Sequence, residues 1–500
     1  MRLGALLLLL LAGAARAEPS PGFDPGMTAK VYAAALAFMV PRTLEPVPVS
    51  QMTLWGLRGL TALDPMLNTE QRNGRLLLTQ PDRVLADLAI PDNEDPTTWA
   101  AIAAGLSDAA ALGSAPVRNA GTRGVVQSFF DELFNHLDAY SRYVPPDDAG
   151  EDIERRHGEA GAGLTLARRG TAIVVQEAIQ DGPAAVAGIR HGDVIIAVDG
   201  RPVRRHTEDV VAGWIAGPAD TDVVIVWRGR GGRTRTARLQ REVVPPETVY
   251  PARVGGILVL DVVSFNQTTD IHIGRAIGQG VAATRPPDGL VIDLRGNRGG
   301  LLRQAVAASD ALLPAGIVAF TVGRDKEASR IWRSGNDPLA PDVPVVVLVD
   351  GRSASAAEIL AAALADRGRG VVVGSSTLGK GLVQVIDPLP DGGELFLTWS
   401  RVLAPRGWPI QGLGVLPQVC TSRGQDALQR QLGALAEGTQ PMAAAIAAHR
   451  TARMPLSPAE IVALRSPCPA SEGRDLDFDT ARTLIDDPAA YAAALLPPMR

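Results

Sequence analysis

Three observations predict an α/β multidomain protein. The chain has 500 residues, 46% of them apolar, enough for about two to four domains with real cores. Between residues 244 and 420 short apolar runs alternate with helical stretches, the pattern of a layered α/β core. Both ends of the chain carry Ala- and Leu-rich stretches with helical spacing of their apolar residues.

The chain opens on a secretory signal peptide, residues 1–17, with Arg2 as its positive charge, Leu6 to Leu11 as its apolar core and Ala15-Arg16-Ala17 as its cleavage site. Cleavage is expected after Ala17. The alternative, a retained anchor, needs a longer apolar run. No later stretch of ~18 uncharged apolar residues exists, so no membrane span is expected in the mature chain.

Residues 18–118 read as a helical N-terminal region. Its helices are expected at 28–40, with Thr28 as N-cap, at 49–65, stopped by Pro65, and at 91–113. Residues 119–157 form a helical lead-in: a Gly-, Ala- and Pro-rich link, then a helix over 125–146 running into a turn. Residues 158–243 change texture, with β-like runs at 163–167, 172–176, 193–198, 222–228 and 234–241 and short helices at 184–188 and 208–216. Pro245-Pro246 closes that module. In the 244–420 core the expected strands are 256–263, 289–294, 343–350, 370–374 and 395–400, and the helices 271–284, 301–313 and 354–366. A helical C-terminal extension, 421–500, follows.

Net charge is −5 and no basic stripe dominates, so nucleic acid is not an expected partner. The chain has two cysteines, Cys420 and Cys468. Export places them in an oxidising compartment, where a disulfide between them is expected. Two unpaired buried thiols are the alternative.

The chemistry turns on "GRSASAAEIL", residues 351–360, where an apolar strand passes into a helix through two serines. Three schemes compete. A Ser-His-Asp triad needs a histidine, and none of the six (His136, His157, His191, His206, His272, His449) lies within 343–420. The serines also lack the G-x-S-x-G pattern of a hydrolase elbow. A phosphate loop is suggested by "GSSTLGKG", 374–381, but Gly381 stands where Ser or Thr should hold Mg²⁺, and a strand follows instead of a helix.

The third scheme pairs a serine with Lys380. This lysine sits between Gly379 and Gly381 in a charge-poor segment. A lysine desolvated there loses basicity, because burial disfavours the charged form, and a neutral amine can take a serine proton. Gln384, on the same face if the segment is a strand, could orient it. "VIDLRGNRGGLL", 291–302, ends a buried strand in a Gly-rich turn whose amides, Gly299 and Gly300, could join Ala356 N–H as an oxyanion hole. Each feature also has a plain reading. Ser353 and Ser355 could be helix caps, Lys380 a surface lysine in a turn, and the Gly-rich loop a tight connection.

Taken together these residues resemble the carboxyl-terminal processing proteases, or tail-specific proteases. That family carries a SASA-S/A-E segment whose second serine is the nucleophile, followed 25 residues later by the lysine of F-G-K-G-x-V-Q. Here Ser355 and Lys380 are 25 apart (380 − 355), and the family's orienting glutamine falls on Gln384. "DLRGNRGGLL" resembles D-L-R-x-N-P-G-G with Arg298 for proline. "LDAYSRYVPP" resembles L-D-P-H-S-x-Y with Ala139-Tyr140 for Pro-His. "GLGVLPQV" resembles G-x-G-I-x-P-D with Gln418 for Asp. "GAGLTL", 161–166, and "PAAVAGIRHGDVIIAVDG", 183–200, resemble a PDZ domain, whose carboxylate-binding loop would be Gly161, Ala162, Gly163 and Leu164.

The resemblance covers about residues 125–420. It implies a PDZ domain at 158–243 and a crotonase-like α/β serine protease core. It also implies a periplasmic endopeptidase with a Ser355/Lys380 dyad and no metal or cofactor. The implied partners are exported polypeptides with accessible C-terminal tails, with room for an adaptor protein. The alternative is a non-catalytic PDZ scaffold or chaperone on the same fold.

Overall fold

The computed structural model describes residues 22–335 and 337–497; the expected signal peptide and its cleavage after Ala17 lie outside them. The chain divides into two compact units. The first joins the residues up to 146 to a distant piece, 385–398.

Helix Pro25–Met39 opens the first unit and is capped by Asp24, not Thr28. The Asp24 side chain accepts the Gly26 and Met27 N–H groups, while Thr28 is buried in the first turn and donates its hydroxyl to the Asp24 carbonyl. Pro25 at the first helical position accounts for the shift, since its missing N–H costs nothing there. The stretch expected as one helix over 49–65 is two, Val49–Leu57 and Gly59–Leu63, ending before Pro65.

The region is helical as expected, with one sheet that the sequence did not indicate. Strands Asn68–Arg72, Arg75–Gln80 and Arg83–Ala89 form an antiparallel sheet in sequence order. Its first turn is Asn73-Gly74, both at positive φ (50° and 74°), the backbone that a two-residue hairpin of this type requires. Helix Pro96–Gly113 follows. The expected link is itself helical, part of Ala115–Asn135, which kinks at Gly121. Tyr32 stacks on Phe129 at the centre, and Phe130 meets both rings edge-on. Leu389, Leu395 and Leu397 from the distant piece complete this core, and strand Arg142–Val144 pairs antiparallel with residues 394–396.

The second unit contains a β-rich module and the α/β core. The module's antiparallel sheet runs Thr234–Gln240, Asp222–Arg228, Val194–Val198, Ala172–Ala178, Leu164–Arg169, so Leu164–Arg169 is an edge strand. Short helix Pro183–Val186 and helix Glu208–Ile215 pack on it. The module's two ends meet, because Glu159–Gly161 pairs with Glu242–Val244.

The core sheet has six strands in the order Val249–Val254, Ile257–Val262, Gly289–Asp293, Val345–Val349, Val371–Gly374, Val419–Cys420. The first pair is antiparallel and all the others are parallel. Side chains alternate across it with period two. Leu290, Ile292, Val345, Val347 and Val349 pack on one face with helices Thr269–Val281, Leu302–Asp310 and Ala356–Asp366. Val291, Val346, Leu348, Val371 and Val373 face the other way, onto Leu428, Leu435, Ala481, Leu484 and Ile485 of the C-terminal helices. The C-terminal extension therefore supplies the second layer of the core. Without it a row of valines would face water. Strands Gly316–Gly323 and Arg330–Ser334, unforeseen in the sequence, belong to a second sheet.

Helix Ala356–Asp366 is fixed at its far end. Buried Asp366 pairs with Arg450 Nε at 2.6 Å and accepts Trp408 Nε1 at 2.8 Å, with buried His449 against the Trp408 ring.

Candidate active site

Three neighbouring parallel strands deliver the candidate groups, each from its carboxyl end. Gly289–Asp293 leads to Gly299 and Gly300, Val345–Val349 to Ser353, Ser355 and Ala356, and Val371–Gly374 to Lys380. The carboxyl ends of parallel strands are where open α/β sheets place their ligands.

Ser355 precedes helix Ala356–Asp366 with φ 56° and ψ −117°. An L-residue other than glycine is strained there by about 1–3 kcal/mol, and such strain concentrates at functional sites. Ser353 has a different place. It is fully buried, donates to Leu294 O at 2.7 Å and accepts the Asp350 N–H at 2.9 Å. Of the two serines, Ser353 is thus consumed by the turn.

The alanine-rich helix carries one acid, Glu358, in its first turn, with no exposure to solvent. Its Oε2 accepts the N–H of Ser355 at 2.7 Å and of Lys380 at 2.9 Å. Its Oε1 accepts the Gly379 N–H at 2.7 Å and the Thr377 hydroxyl. One carboxylate thus ties the serine turn to the lysine loop. Burial raises the Glu358 pKa, opposed by these four hydrogen bonds. The acid of "SASAAE" is visible in the sequence but its role is not, because three of its four partners lie 19 to 22 residues downstream.

Lys380 is half-buried in a loop clamped on both sides. The Leu378 N–H donates to Ser353 O, the Gly381 N–H to Gln411 Oε1, and a Cβ at Gly381 would meet the Gln411 backbone nitrogen at 2.2 Å. Gln384 lies in strand Leu382–Pro388 and its amide donates to Leu382 O. Lys380 precedes that strand, so the strand alternation expected to set Lys380 and Gln384 on one face does not extend to Lys380.

Gly299, at φ 94°, lies against the serine. A Cβ there would come within 2.7 Å of the Ser355 Cβ and 3.0 Å of the Ala356 nitrogen, so any side chain would displace the serine. The Gly299 N–H is donated to Asn297 Oδ1 at 2.7 Å. Gly300 packs on the Phe265 backbone, where a Cβ would reach the Phe265 carbonyl oxygen at 2.1 Å.

In the β-rich module, Gly161, Ala162, Gly163 and Leu164 lead into the edge strand Leu164–Arg169. The Ala162 and Gly163 carbonyls accept the Ala184 and Ile179 N–H groups, which fixes the loop. Asp181, close by in sequence, pairs with Arg275 of the core at 2.6 Å. Cys420 and Cys468 are buried and joined by a disulfide.

The model of peptidase family S41 matches residues 256–421, and a PDZ-domain model matches 174–229. A carboxy-terminal-processing protease of Bartonella bacilliformis is 32% identical over 300 residues, which is 59% of this chain and 69% of that protein. A protein of Staphylococcus aureus described as "Probable CtpA-like serine protease" is 32% identical over 290 residues, 56% of this chain and 57% of that protein. Among solved structures, a photosystem II D1 C-terminal processing protease is similar at 26% identity, covering 76% of this chain and 97% of that one, with a TM-score of 0.37.

Proposed function

The chain belongs to peptidase family S41, among the C-terminal processing serine proteases that carry a PDZ domain, and on that premise we propose a periplasmic endopeptidase with Ser355 as nucleophile and Lys380 as general base. The observation that carries this reading is the Glu358 carboxylate, whose one oxygen accepts the amides of both residues. Two loops pinned to a single atom cannot drift apart without breaking buried, charge-assisted hydrogen bonds.

In this mechanism the neutral Lys380 amine takes the Ser355 hydroxyl proton as Oγ attacks the scissile carbonyl. The tetrahedral oxyanion rests on the N–H of Ala356, at the positive end of its helix, and on that of Gly300. Gly299 keeps a steric role, since its own N–H is engaged by Asn297. The lysine ammonium returns its proton to the departing amine. Water, deprotonated by the same lysine, then releases the acyl group from Ser355. Gln384 orients the lysine.

Residues 158–243 serve as the tail-binding module. The edge strand Leu164–Arg169 is open for pairing with an extended peptide, and the loop from Gly161 to Leu164 takes its terminal carboxylate. Substrates are then exported polypeptides with free C-terminal tails, delivered directly or by an adaptor. The leader-like first 17 residues and the buried disulfide support an oxidising, periplasmic location. Among the described residues no helix is long and apolar enough to cross a membrane.

Hydrolysis of unfolded casein tests the reading. Ser355→Ala and Lys380→Ala should each abolish it, and the double variant should be no worse, since the two act as a unit. Ser353→Ala should leave most of the activity. Retained cleavage in Lys380→Ala would refute the dyad.

A further inference from the structure

We infer that Arg465 is a positioning residue for the loop that carries Lys380, and that residues 465–473 of the C-terminal extension strap both halves of the site; this rests on the Ser355/Lys380 reading above. Arg465 ends helix Pro458–Arg465. Its guanidinium donates to Thr377 O at 2.7 Å, Leu413 O at 2.6 Å and Gly412 O at 3.2 Å. These carbonyls belong to the two segments that enclose the lysine loop. Gly379 packs on Gly412 and Gly414, and Thr377 accepts the Val415 N–H through its hydroxyl oxygen. That hydroxyl in turn donates to Glu358, the acid that takes the amides of Ser355 and Lys380. Three backbone carbonyls from two segments that lie 35 residues apart along the chain (412 − 377) are thus held by one planar fork, a task for which arginine's fixed donor geometry suits it.

The chain beyond Arg465 continues along the same loops. Ser376 Oγ donates to Cys468 O at 2.6 Å, and Ser471 N–H to Ser375 Oγ at 3.0 Å. On the serine side, the Gly351 N–H donates to Ser471 O at 2.7 Å and the Gly473 N–H to Asp350 Oδ2 at 3.2 Å. The Cys420–Cys468 disulfide anchors this run to the last core strand.

A second observation separates positioning from folding. Helix Pro458–Arg465 has no buried residue. Its packing therefore contributes little to global stability, and its end is held by the Arg465 fork, by Arg423, which donates to Ser466 O at 2.6 Å and Pro467 O at 2.7 Å, and by the disulfide downstream. An element held this way can be released locally without unfolding the core.

The test uses the mature full-length enzyme, fluorescein-labelled casein and hydrogen exchange. Arg465→Met should lower kcat by about 10–100-fold with KM within about two-fold, the signature of a lost transition-state arrangement. Arg465→Lys should recover part of the loss. Amides of residues 375–381 should exchange faster in Arg465→Met while those of the core strands do not. Cys420→Ala/Cys468→Ala, which frees the strap downstream, should shift the same amides. An unchanged kcat in Arg465→Met beside an inactive Ser355→Ala would overturn the inference. So would a parallel collapse of kcat, KM and melting temperature, which marks a merely structural arginine. If Ser355→Ala cleaves as well as wild type, the dyad reading fails instead, and exchange at 375–381 still decides whether the strap holds that loop.

Discussion

Replacing Glu358 by glutamine changes one oxygen to an amide nitrogen in a site that contains only donors. All four partners of the carboxylate, the amides of Ser355, Gly379 and Lys380 and the Thr377 hydroxyl, give hydrogens to it. Thr377 cannot reverse its role freely, since its oxygen already accepts the Val415 N–H at 2.7 Å. The glutamine nitrogen must therefore face one of the two donor pairs, and two hydrogen bonds to a charged acceptor are lost. At about 1.5–3 kcal/mol each, that is roughly 3–6 kcal/mol. Part is regained because a fully buried charge disappears, and its burial carries a desolvation cost of several kcal/mol. Global stability should therefore fall by less than the sum of the lost bonds. The positional loss is not recovered, because one pair joins the serine turn directly to Lys380 and the other holds the lysine loop at Thr377 and Gly379. If about 2–4 kcal/mol of that loss appears in the transition state, kcat falls by about 30- to 1,000-fold. Casein turnover and a circular-dichroism melt on the same Glu358→Gln sample measure the two effects separately. A Glu358→Gln enzyme with kcat within about three-fold of wild type would refute the argument that this acid couples the loops.

Two further outcomes follow from other parts of the chain. Burial, aided by neighbouring Arg450, holds the His449 imidazole down to about 3, so it is neutral in the fold but protonates near its ordinary ~6.5 when unfolded. The stability it contributes is complete above that value and declines on acidification, by about 2 kcal/mol between pH 6.5 and 5; urea midpoints for wild type and His449→Gln should diverge in pH dependence over that range, and parallel curves would contradict this. Deleting residues 158–243 should leave a folded core, because the module's two ends run side by side, Glu159–Gly161 against Glu242–Val244, and the seam left by their removal is short; we expect that core to be inactive on casein, and unchanged kcat and KM would make the module a tether without a gating role.

The parts of the structure that were legible in the sequence are those whose signal is local. Valine runs bounded by Gly and Asp marked Val345–Val349 and Val371–Gly374 as strands, and the interval from Ser355 to Lys380 could be counted directly. The hairpin at Asn73-Gly74 is also a local signal, set in a region whose flanking helices dominate its composition. Glu358 and Arg465 had no local signal. An acid in the first turn of an alanine-rich helix is what any helix favours. An arginine on an exposed tail helix reads as solvated, and its partner Thr377 lies 88 residues earlier. The same holds for the C-terminal helices, whose apolar stripes show that they cover something without saying that it is the back of the catalytic sheet.

The composition of the first unit has a consequence for the order of events during synthesis. Tyr143 and Asp391, joined through the tyrosine hydroxyl at 2.6 Å, are 248 residues apart, and Leu389, Leu395 and Leu397 fill a core whose other members all precede residue 144. The portion of chain made first therefore leaves the ribosome with a gap in its interior. It must remain incomplete while the PDZ domain and most of the core sheet are translated. Contacts closed over such a span are slow to form, and their apolar surfaces stay exposed meanwhile. A truncation that ends before residue 385 should then be a chaperone substrate and prone to aggregate, while one that begins after residue 146 strips the 385–398 piece of its partners.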